Sequence, residues 1–452
     1  MCANAVSTVI DKALNRFCHL LCSDFTAEDV MFSYERASSE EADTSSWFSP
    51  VSEVNVVDDY TIDIMTKAPN PIFPDSIANW MMMDSGWADA NNAARPDKDQ
   101  GNYATINTNG TGAFVVTARE PGLRTVLEPH AGWWGEVEHN ITRAELVPIQ
   151  NAATALAALL SGDVDFINPV PIQDTARLIQ NVNVNVIQGI EARVIMLGFP
   201  HEAETLKYSA ETKDKNPFAD VRVRQAVAHA VNVPAILQTI MRGNAAEVSQ
   251  LVSPAMRGYS DALAARPAYD PAKAKQILAD ANVSLPIDVT LDVIAAAPFV
   301  DMAQSLQASF AEGGINLDIV AGTGAQVITK YRARTHEAML LYWGPDFMDP
   351  HSNAKAFAYN ADNSDDKYAS TTTWRNAWMP PEDMNAKTMA ALGEQDAEAR
   401  LDMYLELQKE TQAKAPFVIM FQAIKQVAMR DNVKGFVNGA TSDYVFYRLV
   451  EK

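Results

Sequence analysis

The residues best placed to do chemistry lie in one stretch, Tyr342-Trp343-Gly344-Pro345-Asp346-Phe347-Met348-Asp349-Pro350. It follows an apolar run, Ala338-Met339-Leu340-Leu341, whose composition predicts a buried strand. Gly-Pro and Asp-Pro are turn signals. Two rings and two carboxylates therefore stand just past a strand end, where open α/β sheets hold their ligands. Asp346 is expected to be the ligand-holding carboxylate and Trp343 a pocket wall, against the alternatives of a turn aspartate and a core ring. Tyr342 is the poorer candidate, because successive strand residues face opposite ways. Asp349, before Pro350, suits a turn. The pair Asp346 and Asp349 also admits a carboxylate-dependent hydrolase, provided both face one cleft at glycosidase-like separation. Trp374 and Trp378, at helical spacing, are loop anchors or, for Trp374, a further ligand contact.

Other chemistries find little support. The seven histidines form no cluster with carboxylates, so no catalytic triad is expected. All three cysteines, Cys2, Cys18 and Cys22, precede residue 23. Their odd number excludes a complete set of internal disulfides. Cys18, His19 and Cys22 lack a fourth metal ligand, so neither metal nor cofactor is expected. Asn109-Gly110-Thr111-Gly112-Ala113-Phe114 lacks the lysine and helix of a phosphate loop and reads as a tight turn into a strand. With 36 basic against 57 acidic residues the formal charge is −21, which argues against a nucleic-acid or anionic-membrane partner. No run approaches the ~18 apolar residues of a membrane span. Asp11, Lys12 and Arg16 interrupt any signal-peptide core.

The elements that must position the stretch come next. Ile287–Val293 alternates as a strand, Phe299–Glu312 has helical spacing, Ile315–Val320 is a strand, Ala325–Arg334 a helix and Ala338–Tyr342 a strand. That alternation predicts parallel pairing with right-handed crossovers, with Asp346 at the carboxyl end of the third strand. A long helix is expected over Glu394–Lys414, then a buried strand Phe417–Phe421. Nearer the start, Thr26 caps a short helix, and Val54, Val56, Ile62 and Ile64 flank an Asp58-Asp59 turn as a hairpin. Residues 108–199 are expected to alternate helix and strand as an α/β domain, with separate strands at 182–186 and 193–199.

Four segments, in order, resemble a known family: Phe25-Thr26-Ala27-Glu28-Asp29-Val30 with Ser33 and Arg36; Gly110-Thr111-Gly112-Ala113-Phe114; Leu159 to Asp165 with its Ser-Gly-Asp-Val-Asp; and Val221-Arg222-Val223-Arg224-Gln225-Ala226. The Trp343–Pro350 stretch is similar to the same family's Trp-x-x-Asp-x-x-Asp-Pro. By these segments the chain resembles the family 5 extracellular solute-binding proteins, receptors of ABC importers for peptides, nickel and opines. The resemblance implies an α/β, two-lobed, type II periplasmic-binding-protein-like fold with an extra small α+β domain. It implies domains at 24–107 (small), 108–200 plus 426–452 (lobe I) and 201–425 (lobe II), with residues 1–23 foreign to the pattern. It also implies a monomer in the periplasm that passes a solute to a membrane permease. In the peptide receptors, the aspartate matching Asp346 holds the ligand's ammonium group in an interlobe cleft, and the tryptophan matching Trp343 lines it. The chain departs from the family at its start, where Met1–Ser23 replaces a signal peptide and the opening of the first lobe. A truncated or frameshifted start, with an incomplete first lobe and a fragment that binds nothing, is the remaining alternative.

Overall fold

The computed structural model describes residues 5–9, 16–17, 23–97, 99–199, 216–333, 335–358, 382–439, 445–446 and 449–452. The three cysteines, Trp374 and Trp378 lie outside the described residues. The chain forms two compact units: one runs to Ile187 and resumes at Gln426, the other spans Gln188 to Lys425.

In the first unit, strand β1 (Ala5–Val9) pairs antiparallel with β3 (Thr61–Thr66), which in turn pairs with β2 (Val51–Asp58). Helix α1 (Ala27–Ala37) packs beside them. Its start is a capping box: Asp29 Oδ2 accepts the Thr26 N–H at 2.9 Å, while Asp29 Oδ1 accepts both the N–H and the hydroxyl of Ser85 at 2.9 Å. The glycine-rich turn leads into β4 (Phe114–Glu120), which forms an antiparallel meander with β5 (Arg124–Pro129) and β6 (Ala144–Leu146). This corrects the α/β alternation expected over 108–199: the first three strands there are consecutive and antiparallel. Helix α2 (Ala152–Ser161) follows, capped by Asn151 and ended by Gly162 at φ 89°. Strand β7 (Phe166–Ile167) then pairs antiparallel with residues 428–429.

Strand β8 (Val184–Gly198) carries the chain into the second unit as one 15-residue strand, not the two pieces expected. In that unit come α3 (Val221–Ala230), β9 (Ala245–Glu247) and α4 (Pro271–Asp280). The core of the unit is β10 (Ile287–Ile294), α5 (Phe299–Glu312), β11 (Ile315–Gly322), α6 (Gly324–Arg332) and β12 (Ala338–Trp343). Strand β10 pairs parallel with both β11 and β12. Helix α7 (Pro350–Phe357) follows the chemistry-bearing turn. The expected long helix is α9 (Ala397–Lys414), and a further helix, α8 (Glu382–Gly393), precedes it. Asp396 makes the break, accepting the Glu398 and Ala399 N–H groups as the cap of α9. Strand β13 (Phe417–Arg430) returns the chain to the first unit. The strand order is β9-β13-β8-β12-β10-β11, with β8 antiparallel to β12.

Buried Arg224 ties this unit together. Its guanidinium donates to the carbonyls of Phe218 (2.7 Å) and Ala219 (3.0 Å) before α3 and to those of Lys414 (2.8 Å) and Ala415 (3.1 Å) at the end of α9. A cation suits those carbonyls, because the last turn of a helix leaves them without intrahelical donors.

Candidate functional site

Register places the candidate residues. Trp343 stands opposite Val194 on β8, and Tyr342 opposite Ile195. Met339, Leu341 and Trp343 share one face of β12 and join a core with Val194, Met196, Phe357, Tyr404 and Leu407. The Trp343 ring meets Phe357 edge-on at 5.0 Å and is only half-buried. So Trp343 packs against the core and keeps part of its surface accessible. Tyr342, one residue earlier, turns to the opposite face and is exposed. There the Arg193 guanidinium lies 4.4 Å from the centre of the Tyr342 ring, and Phe299, the first residue of α5, sits 5.8 Å from it. Arg193 Nε is 3.2 Å from the Glu191 carboxylate. This cluster of Arg193, Phe299 and Tyr342 at the carboxyl ends of β10 and β12 was not anticipated. The missing signal is tertiary: residues 149 positions apart meet only through the β8–β12 register.

Asp346 is exposed. Its backbone N–H donates to Ser352 Oγ at 2.9 Å, which fastens the turn to the first turn of α7. Lys355, one helical turn further, is partly buried, and burial holds its ammonium below the ordinary lysine value while the Asp346 charge opposes that shift. Asp346 and Lys355 are thus electrostatic neighbours.

Asp349 has a different task. It is buried, caps α7 by accepting the His351 N–H at 2.9 Å, and takes Arg400 Nη1 on both oxygens at 2.8 and 3.0 Å. Beside it the Tyr404 hydroxyl and His351 Nδ1 share a hydrogen bond of 2.8 Å whose direction is set by the histidine tautomer. Burial above all, then the charges of Lys355 and Arg400, lowers His351 to about 3. The Tyr404 hydroxyl is pushed up, by burial and then by the Asp349 charge. The paired-carboxylate hydrolase is not supported: Asp349 is committed to a cap and a buried ion pair and does not share an open face with Asp346. Arg400 was missed at the sequence level. Its only trace is an arginine four positions before Tyr404, on the stripe that faces inward.

Among the described residues no group of three or more His, Cys, Asp or Glu could hold a metal ion, and no helix is long and apolar enough to cross a membrane. The Cys18-His19-Cys22 drawing and the Trp374 contact fall outside the described residues.

The model for bacterial extracellular solute-binding proteins, family 5, middle region, matches residues 23–365. The Escherichia coli dipeptide-binding protein is 25% identical over 436 residues, covering 92% of this chain and 76% of the relative. The DppA periplasmic binding protein of Helicobacter pylori, solved with the peptide STSA, superposes with a TM-score of 0.81 at 20% identity, over 97% of this chain and 85% of that one. AgaA of A. tumefaciens R10, solved with agropinic acid, gives 0.80 at 20% identity, over 97% and 84%. The fold is that of the type II periplasmic binding proteins.

Proposed function

The chain belongs to the bacterial extracellular solute-binding proteins of family 5, and on that footing we propose that it captures a short peptide or another amine-bearing solute in the periplasm, without catalysis, and delivers it to the permease of an ABC importer. The observation that carries the choice of ligand is Asp346. It is an exposed carboxylate at the carboxyl end of a parallel strand, on a turn fixed by the Ser352 hydrogen bond. An ammonium group leaving water needs such a partner, because an unpaired buried charge is expensive and a charge-assisted hydrogen bond offsets that cost. The accessible part of Trp343 is the proposed wall against which the ligand's first side chain rests. A peptide-binding relative and a peptide-bound structural neighbour favour a peptide over other amines.

Mass spectrometry of the natively purified protein tests the reading. Denaturation is expected to release peptides or small amines bound in near one-to-one ratio. If nothing is released, and a dipeptide library then shows no binding, the proposal fails.

A further inference from the structure

Beside the turn that carries Asp346 stands a cation that capture of an ammonium group does not use. Val194 on β8 lies opposite Trp343, so the antiparallel register sets Arg193 opposite Gly344. Gly344 lies against it: a Cβ built there would stand 3.8 Å from both Cβ and Nε of Arg193. The guanidinium packs on the Tyr342 ring at 4.4 Å, and its Nε meets the Glu191 carboxylate at 3.2 Å. These contacts hold the head group in place, yet 28% of the Arg193 side chain is accessible, against 10% for Glu191. A guanidinium carries five donors in a rigid fork, so an ion pair through Nε is compatible with a second carboxylate on the same head. All of these residues belong to the second unit.

Charge and spacing define what this cation can recognise. The turn has two cations as neighbours, Arg193 and Lys355, which balance the acids Asp346 and Glu191. That local neutrality stands out in a chain of formal charge −21. A ligand that brings only an ammonium group adds a third cation to the set. One that also brings a carboxylate keeps the balance and gains charge-assisted hydrogen bonds from the fork. Spacing limits where that carboxylate sits. Gly344, which faces Arg193, is two residues from Asp346, at most ~7 Å along extended backbone. The two ligand charges are therefore about one residue apart, not separated by the length of a peptide. On the reading that Asp346 takes the ammonium group, we infer that Arg193 is a specificity-determining residue. It selects ligands with a carboxylate close to the amine: a free α-amino acid, or a peptide whose first residue is acidic.

Equilibrium dialysis of the full-length protein, read by mass spectrometry, tests this with matched probes. One comparison sets a library of glutamyl dipeptides against the corresponding glutaminyl dipeptides. The other sets free amino acids against their α-amides. Each comparison keeps the ammonium group and nearly the same shape and removes only the acid. In at least one of them the acid is expected to bind at least about tenfold more tightly, as for a charge-assisted contact, and the comparison that responds identifies the source of the carboxylate. Arg193→Gln, checked for folding by circular dichroism, is expected to erase the preference. A preference that survives in the folded variant overturns the inference. So does equal binding within both comparisons by the wild type, a result that needs no variant and leaves the ammonium reading of Asp346 intact. If no probe of either kind binds, the inference fails together with that reading.

Discussion

At the scale of single residues, the clearest lesson is how differently two aspartates three positions apart are used. Asp346 is exposed with its backbone fixed, whereas Asp349 is buried against Arg400 with both partners about 5% exposed. Removing one partner of such a pair strands the other charge. Arg400→Leu is therefore expected to cost roughly 3–5 kcal/mol in urea denaturation. A loss below ~1 kcal/mol would mean that the pair is not holding α7. The buried histidines set the acid response. Burial first of all lowers His336 to about 4, with the Asp292 charge and the Lys330 backbone opposing and the Lys330 charge reinforcing, and lowers His351 to about 3, with Lys355 and Arg400 reinforcing. Below the ordinary histidine value of about 6.5, the unfolded chain takes up protons at both while the folded chain does not. Their effect is absent above that value and grows as pH falls toward the two folded-state values. Each histidine costs about 1.4 kcal/mol per pH unit, so the two together remove about 3 kcal/mol at pH 5.5 relative to pH 7.5. Denaturation curves at the two pH values check this, and His351→Gln should shrink the difference. Equal stability at both would contradict the burial of these rings.

At the scale of elements, the segments that marked the family are mostly joints. Asp29 closes the capping box of α1, Arg224 clamps α3 to the end of α9, and the Ser-Gly-Asp-Val-Asp segment turns α2 into β7. Gly162 shows why its residue type matters. It sits at φ 89°, a left-handed conformation that a side chain disfavours, and an added Cβ would stand 2.5 Å from Arg430 Nη1. The arginine head can move aside, so the backbone term dominates. Gly162→Ala is expected to lower stability by roughly 1–2 kcal/mol, measured as a shift in denaturation midpoint at unchanged slope. No change would place the cost elsewhere. The β10-α5-β11-α6-β12 region was legible because its caps, periods and glycine stops all agree. The two long strands were not. Strand β8 alternates through its first half and is buried on both faces in its second, so it reads as two strands. Strand β13 carries Gln422, Lys425 and Gln426, polar residues that read as a strand end. They are nonetheless buried, with Gln422 donating to the Glu191 carbonyl and Gln426 accepting the Thr175 hydroxyl at 2.6 Å. A single sequence shows the polar letters but not the partners that satisfy them.

At the scale of the whole molecule, membership of the solute-binding family was legible from the order of weak motifs, each of which alone is ambiguous. The candidate site was legible only in part. Trp343 and Asp346 follow from one strand and its exit turn. The Arg193, Phe299 and Tyr342 cluster depends on distant register. What the molecule does rests on whether Asp346 takes an ammonium group. Titration calorimetry of wild type and Asp346→Asn with a dipeptide identified by the release experiment, and with its N-acetylated form, measures this most directly. The account predicts that the free-amine peptide binds wild type. Either change alone, neutralising Asp346 or capping the amine, should weaken binding by roughly 10²-fold, as for loss of a charge-assisted contact of about 3 kcal/mol. Both together should cost little more than one. Equal affinity of wild type and Asp346→Asn for the free-amine peptide, or of wild type for the free and acetylated peptides, would contradict it.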